Sequence, residues 1–130
     1  IPLYTDAKQG YLNIAEGVET ALAVLSATGL PTWSTLNATL MPTVCVPDYV
    51  HTVFIWADRD ASNVGQKAAF LLKKRLKQQG CQVKVLLPEE ERYKNKKNVD
   101  WNDVLQEQGV AGIKRVIKHT CLLHSIVCIH

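Results

Sequence analysis

The chain has 130 residues and a mass of 14.5 kDa, the size of one ordinary domain, and its 47% of apolar residues suffices for a single core. Charged residues make up 21%, and no apolar run reaches the roughly 18 residues of a membrane span, so composition excludes disorder and a transmembrane role. The chain begins at Ile1 and carries no secretory signal pattern. We expect a soluble, cytoplasmic domain cut from a longer protein.

The two halves of the chain carry opposite net charge. Residues 1–66 contain two basic and six acidic side chains, whereas residues 67–130 contain thirteen basic and six acidic ones. An acidic cluster beside a basic region suits a divalent cation held next to a polyanion, but a basic face is as often an ordinary solvated surface.

The first half of the chain predicts strand, helix and strand. Residues 11–15 form a short apolar strand, after which the helical spacing of apolar residues runs from Val18 to a stop at Gly29. Residues 32–35 predict a second strand. The segment 37–49 contains two prolines and predicts only a loop or a short helix.

The second half begins with the clearest strand, the continuous apolar run 52–57, which is typical of a strand buried on both faces. A helix follows, for which we predict Asn63 as the side-chain cap and Gly80 as the left-handed end. The predicted apolar stripe of this helix consists of Val64, Ala68, Leu71, Leu72 and Leu76. Its predicted outer face carries four lysines, Lys67, Lys73, Lys74 and Lys77. Residues 82–87 predict a fourth strand, 89–98 a charged loop, and a last helix is expected from about Val110.

Alternating strands and helices predict an α/β fold with a central, mostly parallel four-stranded sheet and helices on both faces. We assign residues 11–108 to this domain, 1–10 to a lead-in and 109–130 to a C-terminal helix and tail. The role of the tail, with Cys121, His124 and Cys128, is left open.

Carboxylates follow three of the four predicted strands, at the sheet edge where α/β proteins place their sites. Glu16 follows the first strand, and Asp58 and Asp60 follow the third strand. Asp100 follows the charged loop that comes after the fourth strand. If the first and third strands are neighbours, Glu16 lies close to Asp58 and Asp60. Side chains alternate along an extended chain, so we expect Asp58 and Asp60 to point to the same side. Mg²⁺ would relieve their repulsion. The alternative is that these acids only cap helices and turns.

Three segments together, 13–21, 54–65 and 100–103, resemble the Toprim domain, most closely the version in primases and primase-helicases of phages and plasmids. The resemblance implies that Glu16, Asp58 and Asp60 are catalytic and bind Mg²⁺, or Mn²⁺, with Asp100 as a further ligand. The chain departs from the primase pattern at Thr20 and Asn102, where further acids are common.

The resemblance also implies nucleic acid and nucleotides as partners, with no membrane. Gly17, Asn63 and Gly65 are expected near a phosphate, because helix starts offer free N–H groups. Lys96 and Lys97 are expected at the nucleic-acid backbone, although an ordinary surface loop explains them too. Further domains of the parent protein, such as a helicase or a primase basic domain, are expected as partners.

Three functions from different classes stay open at this point. The first is the catalytic module of a DNA primase, a nucleotidyltransferase in DNA replication. The second is a Toprim nuclease, which needs only metal-activated water. The third is a non-catalytic docking module whose carboxylates form salt bridges with a partner.

Overall fold

The computed structural model describes residues 10–88 and 99–123, with side chains as far as Thr120. The strands are β1 (Tyr11–Ala15), β2 (Thr32–Ser34), β3 (Thr52–Trp56) and β4 (Gln82–Leu86). The helices are α1 (Val18–Thr28), α2 (Val64–Gln78) and α3 (Trp101–Leu123), with a short 3₁₀ turn at Met41–Thr43. Each predicted strand is confirmed to within one residue at its ends.

All four strands are parallel and lie in the order β2-β1-β3-β4. The two central strands pair residue for residue, from Tyr11 opposite Thr52 to Ala15 opposite Trp56. Because the ends of β1 and β3 are level, the residues that leave them start from adjacent points on one edge of the sheet. This arrangement confirms the condition on which convergence of the carboxylates depends.

Helices cover both faces of the sheet, which confirms the predicted α/β class. On one face, α1 and α3 pack against Phe54 and Trp56 of β3. On the other, α2 and the 3₁₀ turn pack against Ile14 and Ile55. Alternation explains the division, since neighbouring residues of a strand point to opposite faces and both faces are apolar here.

A buried polar network crosses the α1/α3 side of the sheet. Asn13 is fully buried; its amide N–H groups donate to the hydroxyls of Thr28, at 2.9 Å, and Thr32, at 3.4 Å. Its carbonyl oxygen accepts the indole N–H of Trp56 at 2.9 Å. The Trp56 ring meets that of Trp101 edge to face, with centroids 4.9 Å apart. Asn13 thereby ties α1, β2 and β3 to the aromatic pair below the site edge.

Helix α3 consists of two helical stretches joined at Gly109; the second is the helix predicted from about Val110, and the first, which begins at Trp101, was not predicted. Gly109 interrupts α3 with φ 68° and ψ −171°, outside the helical region, so the apolar period restarts at Val110. The stretch before Gly109 was missed, although Trp101, Val104 and Leu105 have helical spacing, because Gly109 breaks the apolar period after a single short run. No helix within the described ranges is both long and apolar enough to cross a membrane.

Two details of α2 also differ from prediction. Asn63 precedes the helix in a left-handed conformation, with φ 60°, and its side chain makes no capping hydrogen bond. Val64 and Leu71 are 57% and 60% exposed, because the buried stripe is centred on Gly65, Ala69 and Leu72 instead. Gly80 has the predicted positive φ, 94°, just beyond the helix end.

Replacing Asn13 with alanine should lower the free energy of unfolding by about 2–4 kcal/mol, because the Trp56 indole N–H loses its acceptor inside the core and a small cavity is left. Urea unfolding measures the change. Asn37→Ala is the matched control, because the side-chain oxygen of Asn37 accepts the Leu40 N–H at an exposed turn. Loss of this hydrogen bond should lower the free energy of unfolding by about 1 kcal/mol or less. Equal losses for the two variants would contradict the structural role of Asn13.

Candidate metal centre

Glu16 leaves β1 directly and is held at the sheet edge by its main chain. Its carbonyl oxygen accepts the N–H of Leu36 at 2.8 Å and the hydroxyl of Ser34 at 2.9 Å, both from the end of β2. Leu36 adopts a left-handed conformation, with φ 73°, which is unusual for a branched residue. The chain after β2 therefore braces the backbone of Glu16 and leaves its half-buried side chain to face α2.

Asp60 lies in the turn that leads from β3 into α2. The Ser62 hydroxyl donates to its Oδ1 at 2.9 Å, and the Asn63 N–H donates to its carbonyl oxygen at 3.2 Å. This is an aspartate-initiated turn, in which the side chain is held by residues that follow it. Asn63, predicted near a phosphate, takes part through its backbone.

The carboxylates of Glu16 and Asp60 meet at Gly65, in the first turn of α2. A Cβ placed on Gly65 would lie 3.6 Å from Asp60 Oδ2 and 3.8 Å from Glu16 Oε2. The buried, side-chain-free surface of Gly65 thus faces two carboxylate oxygens from different strand ends. Gly17, by contrast, precedes α1 in an extended conformation, and a Cβ placed on it would meet no other described residue within 4 Å beyond its chain neighbours.

Asp58 is bound to the start of α3. Its Oδ1 accepts the main-chain N–H of Trp101 at 3.0 Å. Burial raises the pKa of this carboxyl to about 6; the Trp101 N–H opposes the rise, and the negative charges of Asp100, Glu16 and Asp60 add to it. The four predicted carboxylates therefore interact electrostatically at one edge of the sheet.

Asp100 and Asp103 cap α3 reciprocally. The N–H of Asp103 donates to Asp100 Oδ1 at 2.7 Å, and the N–H of Asp100 donates to Asp103 Oδ2 at 3.1 Å. This is the geometry of a capping box, built here from two aspartates. One Asp100 oxygen is thus occupied by the helix, and the side chain is exposed.

Asn102 and Glu19 pair with each other. The Asn102 amide donates to Glu19 Oε2 at 3.0 Å and joins α3 to α1. Thr20, at the other departure from the primase pattern, is buried in α1. The two departures therefore serve packing and contact between the helices beside the site.

Arg59 lies between the two aspartates and holds the ends of the charged loop. Its main chain forms an isolated antiparallel bridge with Val99, at 2.7 and 2.6 Å, and its Nε donates to the carbonyl oxygen of Pro88 at 3.1 Å. These contacts bring Asp100 next to Asp58. Lys96 and Lys97 lie outside the described residues.

Asp58 and Asp60 contact the starts of different helices, and the expectation that alternation points them to one side of the chain stays a prediction. Asp60 faces the start of α2, and Asp58 the start of α3. Within residues 10–88 and 99–123, no three acidic, histidine or cysteine side chains form a ready cation site. The donors nevertheless fit Mg²⁺, which takes one or two carboxylates and completes its shell with water and substrate phosphate.

The main-chain N–H of Trp101 was missed as a part of the site. Its indole, as expected, packs in the core beside the site, where it is 1% exposed and donates to the Leu86 carbonyl oxygen at 3.3 Å. The spacing of Asp100 and Asp103 is a helix-start signal, and it places a free N–H at Trp101. Its contact with Asp58 depends on tertiary packing.

The raised pKa of Asp58 predicts a pH-dependent stability. Between pH 3.8 and about 6 the folded chain keeps a proton on Asp58 that the unfolded chain has lost, so the contribution of Asp58 to the free energy of unfolding falls as pH rises through this window. Urea unfolding across this range should show a fall that Asp58→Asn lacks. Parallel curves for the two proteins would contradict the assignment, as would a carboxyl ¹³C titration of Asp58 at its ordinary value.

The profile of the Toprim domain family matches residues 11–111, which contain all four strands, α1, α2 and the carboxylates described above. Searches of curated proteins and of solved structures gave no match. Toprim domains bind Mg²⁺ through acidic residues and act as metal-dependent modules that process nucleic acid. The match does not separate primases from nucleases, but it covers most of the chain and agrees with the parallel sheet and its acidic edge. The chain therefore belongs to the Toprim domain family.

Proposed function

We propose that this chain is the Mg²⁺-dependent catalytic module of a DNA primase that makes primers for the replication of a phage, plasmid or other mobile element. The observation that carries the proposal is the meeting of Glu16 and Asp60 at Gly65, beside Asp58. The primase type is supported by the resemblance of segments 13–21, 54–65 and 100–103. The proposed partners are nucleotides, nucleic acid and further domains of a longer cytoplasmic protein, such as a helicase or a primase basic domain.

In this proposal Glu16, Asp58 and Asp60 hold Mg²⁺, or Mn²⁺, with Asp100 as an outer ligand. When bound, the cation neutralises charge on a triphosphate and lowers the pKa of an attacking hydroxyl. Glu16, at the end of β1, would either ligate the cation or accept the proton of a primer 3′-hydroxyl. A phosphate bound at the first turn of α2 would meet main-chain N–H groups there, and Gly65 would permit its close approach. Gly17 leaves similar room at α1.

A Toprim nuclease is the second candidate, and the α3 start favours it. Asp100 gives one oxygen to its helix cap, and Asn102 supplies an amide bound to Glu19. Fewer free carboxylates remain than a full primase set would use. A nuclease that only activates one water molecule needs fewer carboxylate ligands than a primase does. Nuclease activity is therefore tested beside primase activity.

A Mg²⁺ titration followed by backbone amide resonances tests the site. Perturbations should centre on the residues around Glu16, Asp58, Asp60 and Gly65, with weak affinity because Mg²⁺ completes its coordination shell with water and substrate phosphate, and the titration contains no phosphate. Asp60→Asn and Glu16→Gln should each weaken binding by about tenfold or more, since each removes one charged ligand of the proposed site. Asp48→Asn, an exposed carboxylate before β3, is the matched control and should bind Mg²⁺ as the parent does.

Activity assays on the same proteins separate the two reactions. Template-directed nucleotide addition with Mg²⁺ or Mn²⁺, abolished by Asp60→Asn, supports the primase. Metal-dependent cleavage of DNA or RNA, abolished by the same change, supports the nuclease. Mg²⁺ binding that survives both substitutions, or none in the parent chain, contradicts a catalytic metal site and leaves the docking module.

Gly65→Ala should separate folding from metal binding. Among the described residues, apart from the chain neighbours and the backbone of α2 itself, no atom lies closer than 3.6 Å to the added Cβ. Alanine is favoured over glycine in a helix by up to about 1 kcal/mol, so thermal stability should hold or rise. The methyl group occupies the gap between Asp60 and Glu16, so Mg²⁺ affinity should fall by about tenfold. Gly17→Ala, whose Cβ meets open space, should bind Mg²⁺ normally. Normal binding by Gly65→Ala would show that the cation lies elsewhere.

A further inference from the structure

Helix α2 presents an exposed basic stripe that the carboxylate site does not use. Lys67, Phe70, Lys74 and Lys77 follow one another at intervals of three, four and three residues, so they lie on one face of the helix. We call these four residues the α2 lysine face. Its lysines are exposed, and Phe70 is 50% exposed among them.

The charge of this face is uncompensated within its own helix. Residues Val64–Gln78 contain four lysines, one arginine and no acidic residue. Arg75 has a structural role, since its guanidinium donates to the carbonyl oxygens of Pro42 and Val44. The ammonium group of Lys73 lies 5.9 Å from the centre of the Phe70 ring and adds positive charge beside it.

The position of the face relates it to the sheet edge. Helix α2 starts at the carboxylates, where Gly65 meets Glu16 and Asp60, and runs away from them. From Lys67 to Lys77 the face extends over about 15 Å, at about 1.5 Å per residue. A strand bound along it would have one end at the candidate site.

From these observations we propose that the α2 lysine face binds single-stranded nucleic acid, with the lysines on phosphates and Phe70 stacked on a base. Rows of cations interleaved with an exposed aromatic ring are the common device for binding single strands without sequence preference. The proposal goes beyond the metal-dependent reaction, because such binding needs neither the carboxylates nor a divalent cation.

Other occupants fit the face less well. The apolar side of α2, with Ala68, Leu72 and Leu76, is already buried against the sheet and cannot enter a bilayer. A second copy of the chain would bring one row of lysines against another. An apolar partner helix would have to cover several ammonium groups, at a large desolvation cost.

Fluorescence anisotropy of a labelled oligothymidylate, in EDTA and at about 50 mM salt, tests the proposal. Lys74→Gln/Lys77→Gln should weaken binding by about tenfold and reduce the slope of log K against log salt by about 1.4, or 0.7 for each lost phosphate contact. Phe70→Leu keeps an apolar side chain but removes the ring, and should weaken binding by about fivefold. All these positions are exposed, so the variants should fold.

Lys114→Gln/Lys118→Gln is the matched control, because it removes the same charge from exposed positions of α3. It should leave the salt slope unchanged. Equal weakening by both lysine pairs would overturn the proposal in favour of diffuse attraction to a basic chain. It is overturned as well if the α2 variants bind like the parent, or if anionic vesicles are bound through these lysines and the oligonucleotide is not. Because EDTA removes divalent cations, a failure of the α2 lysine face to bind the oligonucleotide can be distinguished from a failure of the proposed metal site.

Discussion

The level, parallel pairing of β1 with β3 is the constraint on which the site depends. It brings Glu16 and Asp58, 42 positions apart in the chain, to one edge of the sheet. Burial raises the pKa of Asp58, and repulsion by the negative charges of Asp100, Glu16 and Asp60 adds to the rise. The pairing is maintained by the apolar layers on both faces and by the Asn13–Trp56 hydrogen bond between the same two strands.

The acidic edge is organised as two pairs, each at the start of a helix. Glu16 and Asp60 meet at α2, whereas Asp58 and Asp100 lie at α3. Main-chain N–H groups at the start of α3 donate to Asp58 and Asp100, and the Ser62 hydroxyl before α2 donates to Asp60, so the negative charge of these three carboxylates is partly compensated. These contacts allow the acidic side chains to lie close together without a bound cation. Carboxylate oxygens between α2 and the end of β1 remain available to bind a cation.

Particular residues show how far local pattern predicts this fold. The strand β3 was predicted because its run is apolar throughout, and Gly29 and Gly80 were predicted as helix ends because few other residues adopt positive φ easily. The exposure of Val64 and Leu71 was not predicted. Spacing assigns such apolar residues to the core, but the contacts that the helix makes with the sheet decide which of its sides is buried. The start of α3 was missed because Gly109 breaks the period on which the prediction relied.

By itself the sequence determined the order of strands and helices, the family, and which acids follow which strands, because these are properties of composition and spacing along the chain. Only the tertiary structure decided that Asp60 turns toward α2 and Asp58 toward the Trp101 N–H, since a side chain beyond a strand end is directed by whatever packs there. It also placed Lys67, Phe70, Lys74 and Lys77 on the outside of α2, because the opposite side of that helix fits the sheet.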